Sequence, residues 1–366
     1  MASKRLKDIV SHLTSSNNAS QEKPIPKFDE LPWYKNYPGC AWGVWGPDDE
    51  LGTVNLLTDE VVRRASQEEI KLGRAVSLNW PINFPEHPVF NRKTPEVNML
   101  IRSEENGMPR DDEIHMNSQS GSQWDGLRHY GIAEHKVFYN KPKPCKNRHT
   151  EYVTQCSCLD NLQPPSLDWA NHGICGRGVL LDIVAHHTRN GGKLPYDPWT
   201  SHPFTVNDLM EVAKAQSVTF RRGDILLLRI GFIQKYYAVT TEERNDLRGK
   251  PETFAGIEQS EDMKRFLWNN HFAAIASDQP TLERWPAPPG TILHPTILGL
   301  WGMPLGEFFD LEKLSETCAE TGRYTFFFSS WPLNIIGGAA SPPNAAVRTV
   351  SFLVGMIRYR SSDVHL

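Results

Sequence analysis

Apolar residues along the chain fall into two alternating patterns, runs at helical spacing and short unbroken stretches. Thr58 to Leu72 carries Val61, Val62, Ala65 and Ile70 ahead of Gly73, which predicts a capped amphipathic helix. Thr205 stands three residues before Asp208 and ahead of Leu209, Met210, Val212 and Ala213, a capping-box start to a second helix. Ser260 opens a third, with Met263, Phe266 and Leu267 on one face. Between these lie short apolar runs that read as strands: 75–80, 97–101, 176–184, 225–230 and 272–278. The interval after Ile101, through Met108, Pro109 and Arg110, reads as a polar loop. Helices alternating with short apolar strands predict an α/β or mixed α+β domain.

Length and charge narrow the picture. With 366 residues, one large domain or two ordinary ones are within reach, with a sizeable core. A net charge of -4 leaves no basic footprint for nucleic acid, and no apolar stretch approaches bilayer length. Residues 1–27 are polar and end in Pro-Ile-Pro, which predicts a mobile arm, with a short amphipathic helix around Leu6 to Leu13, ahead of one domain over 28–366. The N-terminus lacks the apolar core of a secretory signal, and the six cysteines are irregularly spaced, so reduced thiols in a cytoplasmic protein are expected. No repeat and no Gly-rich phosphate loop is present, so nucleotide binding is unsupported. The basic, proline-containing stretch from Lys136 to Thr150 reads as a surface excursion, with a lid as the functional alternative to a solvated face. The acidic trio Asp48, Asp49 and Glu50 reads as a solvated turn in preference to a metal site.

The densest chemistry lies in Gln119-Ser-Gly-Ser-Gln123-Trp-Asp125-Gly-Leu-Arg-His129. On an extended backbone Gln123 and Asp125 point the same way, and Gln119 and His129 flank them closely enough to fold into one pocket. A carboxylate beside an imidazole is the minimum set for holding a divalent cation or moving a proton. Read alone, the segment serves equally well as a polar loop whose side chains satisfy backbone groups. Beyond residue 290 two more groups stand out, His294 beside Pro295 and Glu307 ahead of a helix with Leu311, Leu314 and Cys318 on its apolar face. Alone, the first is an ordinary loop residue, and the second favours a helix N-terminus.

The 119–129 stretch resembles the signature of the cyclase family of metal-dependent hydrolases, which includes bacterial-type kynurenine formamidase and isatin hydrolase. The family pattern reads His-x-Gly-Thr-His-x-Asp, followed four residues later by His. Asp125 and His129 match it in type and spacing, Ser122 replaces Thr, and Gln119 and Gln123 stand where the family has metal-binding histidines. His294 and Glu307 are similar in order and context to the family's later metal-binding His and Glu. The segments from Trp42 to Asn55 and from Ser330 to Arg348 resemble the family's opening and closing elements, so the likeness runs in patches from Trp42 to Leu353.

The resemblance implies a barrel-like mixed β-sheet surrounded by helices in a single domain, and a homodimer. It implies a metal set of Gln119, Gln123, Asp125, His294 and Glu307, with His129 as acid/base and Phe90 as a substrate-pocket wall, although lone aromatics are more often core. The cation would be manganese or zinc. An amide oxygen is a weaker zinc ligand than imidazole, which favours a harder ion and leaves a metal-free site as an alternative. The expected activity is hydrolysis of an amide, lactam or lactone bond in a small molecule by metal-activated water; the altered ligands argue against kynurenine formamidase activity itself. Two rivals stand beside it: metal-independent ring closure, dehydration or isomerisation in the same pocket, and non-catalytic binding of a small molecule.

Overall fold

Nine strands form one mixed sheet in this computed structural model, which describes residues 24–71, 73–104, 107–140, 169–335 and 337–349. The expected arm helix at Leu6 to Leu13, Cys145, Cys156 and Cys158, and the Lys136 to Thr150 excursion beyond residue 140 lie outside the described residues.

The centre of the sheet is parallel. Strands β5 (Ile174–Asp182), β7 (Ile225–Arg229), β9 (Ala274–Ser277) and β10 (Leu305–Glu307) run side by side in one direction. Antiparallel wings extend it through β11 (Thr325–Ser330), β13 (Ala345–Thr349) and β1 (Arg74–Ser77) on one edge. On the other edge stand β4 (Gln123–Asp125) and β12 (Ala340–Ser341), while β6 (Pro203–Phe204) and β8 (Gly256–Ile257) form a separate parallel pair. The sheet curls into a half-barrel within a single α/β domain, as the family resemblance implied.

Both faces of the sheet are covered, which is why its central strands read as unbroken apolar runs. Val179, Leu181, Leu226 and Leu228 point to one side, where α1 (Val206–Ala215) and α2 (Glu261–Asn269) cover them with Leu209, Val212, Met263 and Phe266. Leu180, Ile225 and Leu227 point the other way, into a second core with Leu314, Phe326 and Phe328. The predicted helix starts hold: Thr205 Oγ1 accepts from Asp208 N, and Ser260 Oγ accepts from Met263 N at 3.0 Å. Thr58 likewise caps the helix Asp59–Glu69.

Two expectations are corrected. The interval expected to be a polar loop contains β3 (Arg110–His115), paired antiparallel with β2 (Glu96–Ile101). Every residue of its Arg-Asp-Asp-Glu-Ile-His sequence is exposed, so backbone pairing and surface contacts such as Arg102–Asp111 hold it, and no apolar alternation announces it. Glu307 belongs to strand β10 and not to a helix start; the helix that follows begins at Glu312. The acidic trio is a turn, as expected: Asp49 carboxylate oxygens accept from Gly52 N at 2.9 Å, Asn55 Nδ2 at 2.6 Å and the Tyr139 hydroxyl at 2.9 Å.

Candidate metal centre

The centre is built on one face of the β4–β10 pair. Their antiparallel register sets Gln123 opposite Glu307, Trp124 opposite Gly306 and Asp125 opposite Leu305. Side chains alternate along a strand, so Gln123, Asp125 and Glu307 share a face while Trp124 turns into the core. Trp124 is wholly buried there, its indole N–H donating to Ser330 Oγ at 2.9 Å. A Cβ on Gly306 would stand 2.9 Å from the Trp124 ring and 2.5 Å from Ala276 Cβ. Glycine is therefore what lets the two strands pair at this point.

Upstream, Gly121 fits close under the 84–92 loop, where an added Cβ would lie 2.4 Å from the Phe84 carbonyl oxygen. Ser122 Oγ pins the same turn, donating to Phe308 O and accepting from Trp80 N at 2.7 Å. His294 arrives from a separate loop and caps a short wide helical segment, Pro295–Leu300. Its ring is fixed by Glu283, which accepts from Nδ1 at 2.6 Å and from the Leu293 and His294 backbone N–H groups. Gln259 Nε2 donates to the other Glu283 oxygen at 2.9 Å. A carboxylate on one ring nitrogen orients the other toward a ligand, a common support for metal-binding histidines.

Three atoms converge as a result. His294 Nε2 lies 3.4 Å from Glu307 Oε1 and 3.8 Å from Asp125 Oδ2. Asp125, Glu307 and His294 are all buried, and together they could hold a metal ion. Asp125 Oδ2 and Glu307 Oε1 have no hydrogen-bond partner among the described residues. Buried anionic oxygens left unpaired are costly, and a cation between them would supply what they lack. Two carboxylates and one imidazole suit a borderline or hard divalent ion. The donor set fits.

The two glutamines enter differently. Gln119 Nε2 donates to Asp125 Oδ1 at 2.8 Å, and Gln123 Nε2 donates to Asp125 Oδ1 at 3.0 Å and to Glu307 Oε2 at 2.7 Å. Their amide nitrogens, not their oxygens, face the carboxylates. Turning either amide over would set oxygen against oxygen. The Gln123 oxygen instead lies 3.5 Å from Arg92 Nη1, which also donates to the Gln119 carbonyl at 2.8 Å.

His129 completes the group. Its Nε2 stands 3.7 Å from Asp125 Oδ2 and 3.1 Å from Gln119 Nε2, and its side chain keeps 22% of its surface exposed. Burial lowers the His129 pKa below the ordinary histidine value against the pull of Asp125, with His294 and Arg92 adding to the lowering. Burial also disfavours the His294 imidazolium, but its contacts with Glu283 and Glu307 outweigh that and hold its pKa well above the usual value. Burial, followed by the charge of Asp125, pushes the Glu307 carboxyl up. One imidazole is thus poised as a base and the other as a cation or ligand.

Phe90 is half-buried, with the Arg92 guanidinium 5.3 Å from its ring centroid. It packs edge-on against Phe254 and Trp285, with ring centroids at 6.1 and 5.7 Å, and its N–H donates to Glu252 Oε1 at 2.6 Å. Sequence reasoning missed Glu283 and Arg92. Neither sits in a motif, and each becomes visible only when the fold brings distant loops together.

Comparison with known proteins places the fold. No curated protein matches the chain. Among solved structures, a novel cyclase is 29% identical with a TM-score of 0.70, covering 84% of this chain and 99% of its own. Isatin hydrolase A from Labrenzia aggregata, bound to benzyl benzoate, is 12% identical with a TM-score of 0.50, covering 81% and 98%. An isatin hydrolase bound to the product analogue thioisatinate is 13% identical with a TM-score of 0.50, covering 78% and 94%. At those identities the isatin hydrolases show a shared fold. The cyclase family model matches residues 58–284, more than half of the chain, and the protein therefore belongs to the cyclase family.

Proposed function

We propose that the protein is a hydrolase that cleaves an amide, lactam or lactone bond of a small molecule, with a divalent cation held by Asp125, Glu307 and His294. The observation that carries this reading is the convergence of two unpartnered buried carboxylate oxygens on the free nitrogen of an imidazole whose other nitrogen is already fixed. When bound, a divalent cation supplies positive charge that polarises a carbonyl and makes water more acidic.

The chain's own residues do the rest. Glu283 holds the His294 ring so that Nε2 faces the carboxylates. Gln119 and Gln123 fix the Asp125 and Glu307 rotamers by occupying the oxygens that face away from the centre. His129, kept neutral by burial and partly open to solvent, takes a proton from water at Nε2 and returns it to the departing nitrogen or oxygen. A homodimer in the cytoplasm belongs to the same reading, and light scattering on the purified protein tests the dimer.

The test is metal analysis of purified protein, before and after equilibration with manganese and with zinc. One or two tightly held ions per chain, lost in Asp125→Ala, support the hydrolase and direct screening toward lactones, lactams and N-acyl compounds. Absence of any ion under all conditions overturns it. A specific observation favours the second reading in that event: the glutamine N–H groups already satisfy one oxygen of each carboxylate. The same His129 and Asp125 would then serve ring closure, dehydration or isomerisation without a metal.

A further inference from the structure

A cleft of about 710 Å3 opens beside the metal centre, and its charge is opposite to that of the whole chain. Arg92, Lys235, Arg244, Arg248 and Lys250 line it, against two carboxylates, Asp197 and Glu252. Both carboxylates are engaged. Asp197 is paired with Lys235 at 2.6 Å, and Glu252 accepts the Phe90 N–H. No carboxylate among the described residues forms an ion pair with Arg92, Arg244, Arg248 or Lys250, and the Arg248 and Lys250 head groups have no partner of any kind there. A concave surface lined by one sign of charge concentrates ligands of the other sign.

The cations stand on an aromatic floor. Lys235 Nζ lies 4.3 Å from the Trp199 ring centroid, Arg244 lies 4.8 Å from that of Tyr236, and Arg92 lies 5.3 Å from that of Phe90. Phe232 and Phe254 line the same cleft and pack against each other, and Phe232 packs against Phe308, the residue after Glu307. Arg92 links the two regions directly: it lines the cleft while Nη1 donates to the Gln119 carbonyl and reaches the Gln123 amide oxygen. A pocket that sets aromatic walls beside convergent cations suits a ligand with an apolar body and a complementary anionic group.

We infer that this cleft binds an organic oxyanion, a carboxylate or phosphate on an aromatic or apolar body, through Arg248, Lys250, Arg244 and Arg92. As a substrate class this rests on the hydrolase reading: the molecule to be cleaved carries a second, anionic group that the cleft holds while the scissile bond lies at Asp125 and Glu307. As a binding site it stands independently of any metal.

The experiment is calorimetric titration of the full chain with phenylacetate, phenyl phosphate and the neutral phenylacetamide, at low and at physiological ionic strength. Either anion is expected to bind at least about tenfold more tightly than the amide, and to weaken as salt rises. Comparing the two anions distinguishes a carboxylate site from a phosphate site. The variant Arg248→Glu/Lys250→Glu changes two exposed side chains and is expected to weaken the anions by at least about tenfold while leaving manganese and zinc binding as in the parent protein. Equal affinity for anions and amide, or anion binding that survives the charge reversal, overturns the inference. Anion binding without metal binding upholds the cleft and sinks the hydrolase; metal binding without anion binding does the reverse.

Discussion

Gln123 and Glu307 face each other across the β4–β10 pair, and the Gln123 amide N–H donates to Glu307 Oε2 at 2.7 Å. The same nitrogen donates to Asp125 Oδ1 at 3.0 Å, so one amide bridges two buried carboxylates. A primary amide carries two N–H groups, one for each acceptor, and relieves part of the repulsion between the acids without contributing a charge. That arrangement fixes both carboxylates while Asp125 Oδ2 and Glu307 Oε1 stay without a hydrogen-bond partner among the described residues.

Replacing the bridge tests it. Gln123→His restores the residue type that the family pattern has at this position and puts an imidazole nitrogen beside Asp125 and Glu307. Zinc affinity is expected to rise by at least about tenfold, since imidazole is the better ligand for that ion. The metal-free protein loses a bonded amide between acids and is expected to be less stable by about 1–3 kcal/mol. Competition with a chromogenic chelator and urea unfolding measure the two effects. Unchanged zinc affinity would show that the position does not reach the ion.

His129→Ala is expected to lower turnover by about two to four orders of magnitude, the usual contribution of a positioned acid/base. Folding is expected to survive, because the ring is part-exposed and its nearest polar neighbour, Gln119, also bonds Asp125. Turnover of a responsive lactone, lactam or N-acyl compound, with a thermal melt as control, decides it. Turnover at the parent level would remove His129 from the chemistry under either enzymatic reading.

How much of this was legible in the sequence follows from which forces are local. Strand alternation alone puts Gln123 and Asp125 on one face, and the β4 geometry agrees. Caps at Thr58, Thr205 and Ser260 are short-range hydrogen bonds, so the pattern that encodes them is contiguous. Glu283 reaches His294 across eleven residues and Arg92 reaches Gln123 across 31, and no period or motif records such meetings. Glu307 looked like a helix-start acid because Leu311, Leu314 and Cys318 begin a helical pattern just after it. Glu307 is the last residue of strand β10, and Phe308, Phe309, Asp310 and Leu311 separate it from the helix that begins at Glu312. The β3 strand was invisible because all its residues are exposed and it buries no apolar face that a period could record.

Gly306 makes a sharper test of the sheet's role in the site. It lies beside Glu307 in β10, and a Cβ there would meet Ala276 Cβ at 2.5 Å, Phe309 at 2.7 Å and Trp124 at 2.9 Å. None of these is the end of a flexible side chain, so Gly306→Ala must displace backbone. A loss of about 1–3 kcal/mol is expected from overpacking. Because β10 carries Glu307, metal affinity is expected to fall with it. A Gly306→Ala protein that unfolds at lower urea yet binds metal with parental affinity would separate the strand's position from the site's geometry.

Asp278 sits just past β9, wholly buried, with its two oxygens accepting the Ile230 and Gly231 backbone N–H groups at 2.7 Å each. Burial pushes its carboxyl up to about 7, helped by Glu312 and opposed by the two N–H donors and Arg229. A native-state value above the unfolded one means that the folded protein holds the proton more tightly. Between about pH 4 and about pH 7 the native state therefore binds more protons than the unfolded chain, and this group's contribution to stability falls as pH rises through that window. Asp278→Asn removes the titration and keeps one acceptor, with an offset that does not vary with pH. The stability advantage of the parent over the variant is thus expected to shrink from about pH 5 to about pH 7 and to level off above it. Urea unfolding of both proteins across that range measures the difference directly. An advantage that stays flat from about pH 5 to about pH 7 would mean that the two N–H donors outweigh burial and that Asp278 is already ionised in the fold at the acid end of that range.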